Sequence, residues 1–128
     1  MGKETIQSII EWHAATFPDA TLEGQARKFA EEKKEYLVAT NTNDKAEELA
    51  DVFIVGCGIS RFDLMFAAAV FSYVNQEYLK VYKIAQQDSK SLMMAKHLFE
   101  DVIAQKMTKN RKRVWNKIGG LYKHKTEA

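Results

Sequence analysis

Glu32 stands three residues before Glu35, and Glu48 stands three residues before Asp51. Positions three apart share one side of a helix, so each pair would bring two carboxylates together. In the charged stretch KFAEEKKEYL a single E-x-x-E is ordinarily a solvated face, with Glu31, Glu32 and Glu35 balanced by Lys28, Lys33 and Lys34. That account is harder to apply to Glu48 and Asp51. They lie in EELADVFIVGCGI, whose apolar neighbours set both carboxylates near packed surface, where an unpaired charge is costly. Four oxygen donors on two antiparallel helices form a hard-ligand nest suited to Mg²⁺ or Mn²⁺, ions that keep part of their water and favour carboxylates bridged to substrate phosphates. Iron is not expected: a di-iron carboxylate bundle wants Glu-x-x-His pairs, and none of His13, His97 or His124 has a Glu three residues before it.

A second constellation is basic. Lys106, Asn110 and Arg113 fall at i, i+4 and i+7 in KMTKNRKRVW, on one face of the expected helix. By itself the cluster fits a solvated patch or a nucleic-acid contact as well as a phosphate contact. Lys28, one turn before Glu32, suits a surface ion pair or a phosphate. Trp12 and His13, in WHAATF, have the chemistry to stack on a base or hydrogen-bond to it, although such residues are more often simply packed. The charge distribution follows the same division: residues 1–60 carry 6 Lys/Arg against 11 Asp/Glu, a net −5, and residues 61–128 carry 13 against 6, a net +7. The first half can gather cations and the second phosphates. Neither a Gly-flanked serine elbow nor a Gly-rich phosphate loop is present, so nucleotide handling would have to run through metal.

Helical periodicity supplies the elements that must position these groups. Ile6, Ile9, Ile10, His13 and Phe17 mark a first helix ended by Pro18-Asp19. Thr21 can cap a second, along Leu22, Ala26, Phe29, Ala30 and Leu37, until ATNTND interrupts it. Asp44 with Glu47 reads as a capping-box start for a third helix running to about Ser60. Asp63 opens a fourth, nearly all apolar at first and then amphipathic through Ile84, and a helix apolar on most sides is a buried one. Asp88 or Ser89 caps a last long helix that continues through KMTKNRKRVW, with Gly119-Gly120 as its stop. No alternating strand pattern of useful length stands out. The expectation is an all-α bundle of about five helices with the metal site between two antiparallel helices, one domain over residues 1–120 and a tail over 121–128.

Composition bounds the class. At 128 residues, 46% hydrophobic and with a single Pro, the chain can bury a core without disulfide or zinc. Cys57 alone cannot form an internal bridge, which points to a reducing, cytoplasmic setting. The start MGKETIQSIIEWH reads neither as a signal peptide nor as a myristoylation motif. The apolar run LMFAAAVF is far short of the roughly 18 residues that suggest a membrane span, so no membrane partner is expected. Residues 64–74 are more apolar than one short bundle easily covers, which predicts a homodimer or homotetramer.

KFAEEKKE, then a gap of twelve residues, then ELADVF resembles the MazG-like all-α nucleoside triphosphate pyrophosphohydrolases, whose signature is E-E-x-x-E followed by E-x-x-D. WHAATFPDATLEGQARKFAEE and KMTKNRKRVWNK look like the phage and bacterial branch acting on the purine deoxynucleotides dATP and dGTP. The resemblance covers about residues 8–60 and 100–118; residues 61–99 match only as apolar helix. It implies hydrolysis of a (d)NTP between its α- and β-phosphates, giving a monophosphate and pyrophosphate. It further implies metal ligation by Glu32, Glu35, Glu48 and Asp51, with Glu31 beside them as an outer partner or proton acceptor. Two or more Mg²⁺ ions per site, or Mn²⁺ in their place, would neutralise the triphosphate and activate a water. Lys106, Asn110 and Arg113 would face the phosphates, oligomers would form, and the setting would be the host cytoplasm if the chain is phage-encoded. The alternative from the residues alone is a non-enzymatic helical module that binds nucleic acid through its basic C-terminal helix.

Overall fold

The computed structural model describes residues 4–84, 88–118 and 121–124. Five helices form the fold: α1 (Ile6–Thr16), α2 (Leu22–Val38), α3 (Thr42–Ile59), α4 (Leu64–Val81) and α5 (Ser89–Lys112). Each starts on a side chain that accepts from a backbone N–H of its first turn: Thr5, Thr21, Asn41, Asp63 and Asp88. The expected all-α bundle is therefore present. Its third helix begins earlier than Asp44, because Asn41 takes the capping position and Asp44 serves inside the first turn, accepting from the Asn41 amide at 2.8 Å.

The central helix is α3. It packs against α1, α2, α4 and α5 and buries Leu49, Ala50, Val52, Ile54, Val55, Cys57 and Ile59. Sequence pattern assigns the buried role to the fourth helix, but α4 buries only Ala67, Val70, Val74 and Val81, packs Phe66, Phe71, Tyr73 and Tyr78 half-buried against the core, and leaves Leu64 and Met65 in solvent. The difference lies in the small residues of α3: Gly56 lets α4 approach so closely that a Cβ there would sit 2.9 Å from Val70 Cγ1 and 3.0 Å from Phe71 Cε1. A helix approached on several sides must be narrow, and Ala50, Gly56 and Gly58 make it so. The short link between α2 and α3 makes them antiparallel neighbours, with Lys45 Nζ donating to the Tyr36 carbonyl at one end and Gly58 lying against Gln25 at the other.

Two helix ends differ from the periodicity reading. The fourth helix stops at Val81 rather than Ile84, broken by Lys83 at φ 56°. The last stops at Lys112, and Arg113 is already extended (φ −76°, ψ 148°). Beyond it the chain forms an antiparallel hairpin, β1 (Trp115–Ile118) with β2 (Leu121–His124), in the register Trp115↔His124 to Ile118↔Leu121. The helix does not continue through KMTKNRKRVW, and residues 121–124 are a strand rather than part of a tail. WNKI and LYKH flank a Gly-Gly pair, and two short segments joined by Gly-Gly are a hairpin signal as much as a helix stop. Gly119-Gly120 themselves, the Met1-Gly2 start and the last four residues lie outside the described residues. Among the described residues no helix is long and apolar enough to cross a membrane.

Candidate metal centre

The two E-x-x-E/D pairs meet as their spacing implies. Glu32 and Glu35 project from α2, and Glu48 and Asp51 from the antiparallel α3. Carboxylate oxygens of Glu32, Glu48 and Asp51 all lie within 4.8 Å of one another. Glu35, more exposed, sets its carboxylate beside both Glu32 and Glu48. Two cations partly answer this charge. Lys106 Nζ, from α5, bonds Asp51 Oδ2 at 3.1 Å, and Lys28 Nζ stands 3.8 Å from Glu32 Oε1. The balance is incomplete, for Oε2 of Glu32 and Oε2 of Glu48 are both buried without a hydrogen-bond partner.

Such a cluster cannot hold all its charges alone. Burial, then the neighbouring charges of Asp51 and Glu35, push the Glu32 carboxyl up to about 8, with Lys28 opposing. Burial, then the Asp51 charge, then the hydrogen bond and charge of Glu35, push Glu48 up to about 7, with Lys106 opposing. Burial raises Asp51 too, against the pull of Lys106 and Arg113. The metal-free site is thus an acceptor for protons or for a cation. All its donors are carboxylate oxygens, two of them orphaned, which fits a hard divalent ion such as Mg²⁺ or Mn²⁺ and does not suit a soft, thiolate-seeking one.

Of these carboxylates Glu32, Glu35 and Asp51 line a cleft of about 410 Å³, with Glu48 set behind them against Glu32 and Asp51. Its lining includes Glu31, Glu32, Glu35 and Asp51 together with Lys28, Lys106, Asn110 and Arg113, so the acidic and basic constellations share one space. Arg113 reaches it by a different route from the expected helical face: as the C-cap of α5 it donates from Nη1 to Asn110 Oδ1 at 3.1 Å. Asn110 is itself buried, and its carbonyl accepts from the Trp115 indole at 3.2 Å. The fold therefore holds Asn110 and Arg113 at the junction of helix and hairpin.

The same cleft has an aromatic section. Trp12, Phe17 and Trp115 meet edge to face, with ring centroids 5.4 Å (Trp12 to Phe17), 6.1 Å (Trp12 to Trp115) and 5.1 Å (Phe17 to Trp115) apart. Trp12 is only partly buried and stays available to a flat ligand. His13 does not: it is 4% exposed, and both ring nitrogens already face protein, Nδ1 meeting Arg61 Nη1 at 2.8 Å and Nε2 meeting Gln25 Oε1 at 3.1 Å. Burial, and next the Arg61 charge, hold the imidazole down to about 4, so it is neutral at ordinary pH.

Sequence reasoning missed Gln25, Phe17, Arg61 and Trp115. Gln25 had a signal, since with Lys28 and Glu32 it falls at i, i+3 and i+7 on the cleft face of α2. Trp115 would have followed from the hairpin pattern. Phe17 and Arg61 carried none, the first because it reads as an ordinary core residue and the second because it sits alone in a turn.

Compared with family models, with characterised proteins and with solved structures, the chain gives no match.

Proposed function

We propose that this chain is a metal-dependent nucleoside triphosphate pyrophosphohydrolase. The observation that carries the reading is the pair of orphaned buried oxygens on Glu32 and Glu48, set beside Asp51 at a cleft that also presents Lys28, Lys106, Asn110 and Arg113. A cleft that needs cations at one set of side chains and offers donors at another suits a polyanion carried with its divalent ions.

Glu32, Glu48 and Asp51, with Glu35 beside them, would hold Mg²⁺ or Mn²⁺, which supply charge neutralisation of the triphosphate and acidify a water. Lys28, Lys106 and Arg113 donate to phosphate oxygens, Arg113 with a planar fork suited to two of them. Glu31, exposed at the cleft, accepts the proton that the attacking water gives up. The water oxygen bonds to the α-phosphorus as the bridge to the β-phosphate breaks, and a monophosphate and pyrophosphate result. Trp12, Phe17 and Trp115 give the base an apolar wall large enough for a purine, the basis for favouring dGTP and dATP. The reading places the activity in the cytoplasm. It also includes assembly into a dimer or tetramer, which would cover the exposed Leu64, Met65, Met93 and Met94.

The nucleic-acid alternative draws less support. Lys106 and Arg113 line the carboxylate-bearing cleft and Arg111 is held bidentately by Glu4 at 2.8 and 2.9 Å, which leaves Lys109 and Lys112 as the exposed, uncommitted cations of the run. The deciding experiment is incubation with each dNTP and NTP, with and without Mg²⁺ or Mn²⁺, and identification of the products. Pyrophosphate released only with metal is expected; orthophosphate as the primary product, or no turnover beside salt-sensitive DNA or RNA binding, would overturn the reading.

A further inference from the structure

Gln25 is 7% exposed and lines the cleft, yet nothing above gives it a task. Its orientation follows from its neighbours. Arg61 can only donate, so Nδ1 of His13, 2.8 Å from Arg61 Nη1, must be the acceptor nitrogen of the ring. The proton of the neutral imidazole is then on Nε2, and Nε2 donates to Gln25 Oε1 at 3.1 Å. With its oxygen turned to His13, Gln25 has its amide N–H groups left, and these have no protein partner among the described residues.

The relay is built into the fold. Arg61 is anchored by the Phe17 carbonyl at 3.0 Å and stacks on Phe62, 4.9 Å from the ring centre. Gly58 on α3 leaves the room: a Cβ there would lie 2.5 Å from His13 Nε2 and 2.8 Å from Gln25 Oε1. Four residues from three helices and a turn thus fix one amide, and its donors, open to the cleft, are costly for a ligand to cover unless that ligand accepts from them. Gln25 lies seven residues before Glu32 on the same face of α2, about 10 Å along the helix axis at 1.5 Å per residue. That is roughly the reach from a base edge to its phosphates.

We propose that Gln25 reads an exocyclic carbonyl on the nucleobase, with Arg61 and His13 as positioning residues that keep its donors turned to the cleft. The proposal rests on the nucleotide reading above and adds to it a selection by functional group. Bases carrying a carbonyl at that edge, guanine and hypoxanthine among purines and uracil among pyrimidines, can accept; adenine and cytosine present an amino group there instead.

The test uses binding as well as turnover. The α,β-methylene analogues of dGTP, dITP and dATP, which cannot be cleaved between those phosphates, are titrated with Mg²⁺ present and followed by quenching of Trp12 and Trp115. The natural dNTPs, including the dUTP and dCTP pair, are assayed in parallel. Oxo bases should exceed their amino counterparts by about ten- to a hundredfold within each ring size, because the amino base leaves a buried donor unpaired. Gln25→Glu keeps an oxygen for His13 and turns an acceptor to the cleft, so it should reverse the order. Arg61→Met should bring the ratio towards one by freeing the His13 tautomer; should it fail to fold, the wild-type panel and Gln25→Glu still decide. Discrimination in binding without turnover would support the role of Gln25 while sinking the pyrophosphohydrolase reading. Equal binding of oxo and amino bases, binding of none, or a preference untouched by Gln25→Glu would overturn the proposal.

Discussion

In the metal-free protein, Glu32→Gln is expected to stabilise the fold near pH 8 and to change it little near pH 4.5. The Glu32 carboxyl has an ordinary value of 4.5 and is raised to about 8 in the folded chain, chiefly by burial. Below the ordinary value it is protonated whether the chain is folded or not, and a neutral Gln is a fair copy of it. Between the two values the unfolded chain ionises while the folded chain keeps its proton, and stability falls by about 1.4 kcal/mol per pH unit. Near the upper value the accumulated cost is on the order of 4 kcal/mol. The side chain is only 14% exposed, so solvent screening removes little of this. Sharing of charge with Glu48 and loss of the long Lys28 contact remove more, leaving an expected gain of roughly 2 to 4 kcal/mol. For a chain of this length that is about 7 to 15 °C in Tm. Melts by far-UV circular dichroism in a chelator, at the two pH values, measure it directly. Added Mg²⁺ should then reverse the ranking near pH 8, since the native protein gains binding energy that the variant has lost. A variant less stable than the parent at high pH without metal would refute the argument, as would a gain that does not change with pH.

Glu48→Gln and Asp51→Asn should each abolish metal-dependent turnover while leaving helicity intact, and near-normal rates in either would show that the centre is elsewhere. Arg113→Ala should lower turnover by about ten- to a thousandfold, the span for a lost donor to developing charge, whereas Lys112→Ala, exposed at the end of α5, should do little; equal small losses would reduce the basic run to a diffuse field. Gly56→Ala should cost about 1 kcal/mol in denaturant titration, because crowding against the stiff Val70 outweighs the better helix propensity of Ala, and a stabilised variant would mean that α3 and α4 are not in such close contact.

What the sequence disclosed follows from how local each signal is. Helix existence depends on periodicity and on caps within one turn, so all five helices were legible, and so was the meeting of Glu32 with Glu48 and Asp51, which needs only two antiparallel neighbours. Burial is not local. α4 has the more apolar text, but α3 has the small residues that let four helices crowd it, and hydrophobicity alone ranks them the wrong way round. The end of α5 failed for a related reason: KNRKRVW keeps a helical composition, and what lies beyond Lys112 is a strand paired with LYKH, a non-local partner.

The residues that sequence could not assign are the ones whose role depends on a third group. His13 reads as a packed residue or a base contact until Arg61, 48 positions further on, is found against its Nδ1. Once that donor is in place, the ring has one available tautomer, and the hydrogen-bonding face passes from the histidine to Gln25. On the proposal above, the chemistry shown to the cleft would be set by a residue in the α3 to α4 turn, with Gly58 leaving the room for His13 and Gln25. A substitution at either position could change what the cleft recognises without touching the carboxylates of the metal centre. On the proposed reading, selection among ligands and binding of metal would be separable, the first depending on α1, the start of α2 and the end of α3, the second on the facing middle turns of α2 and α3.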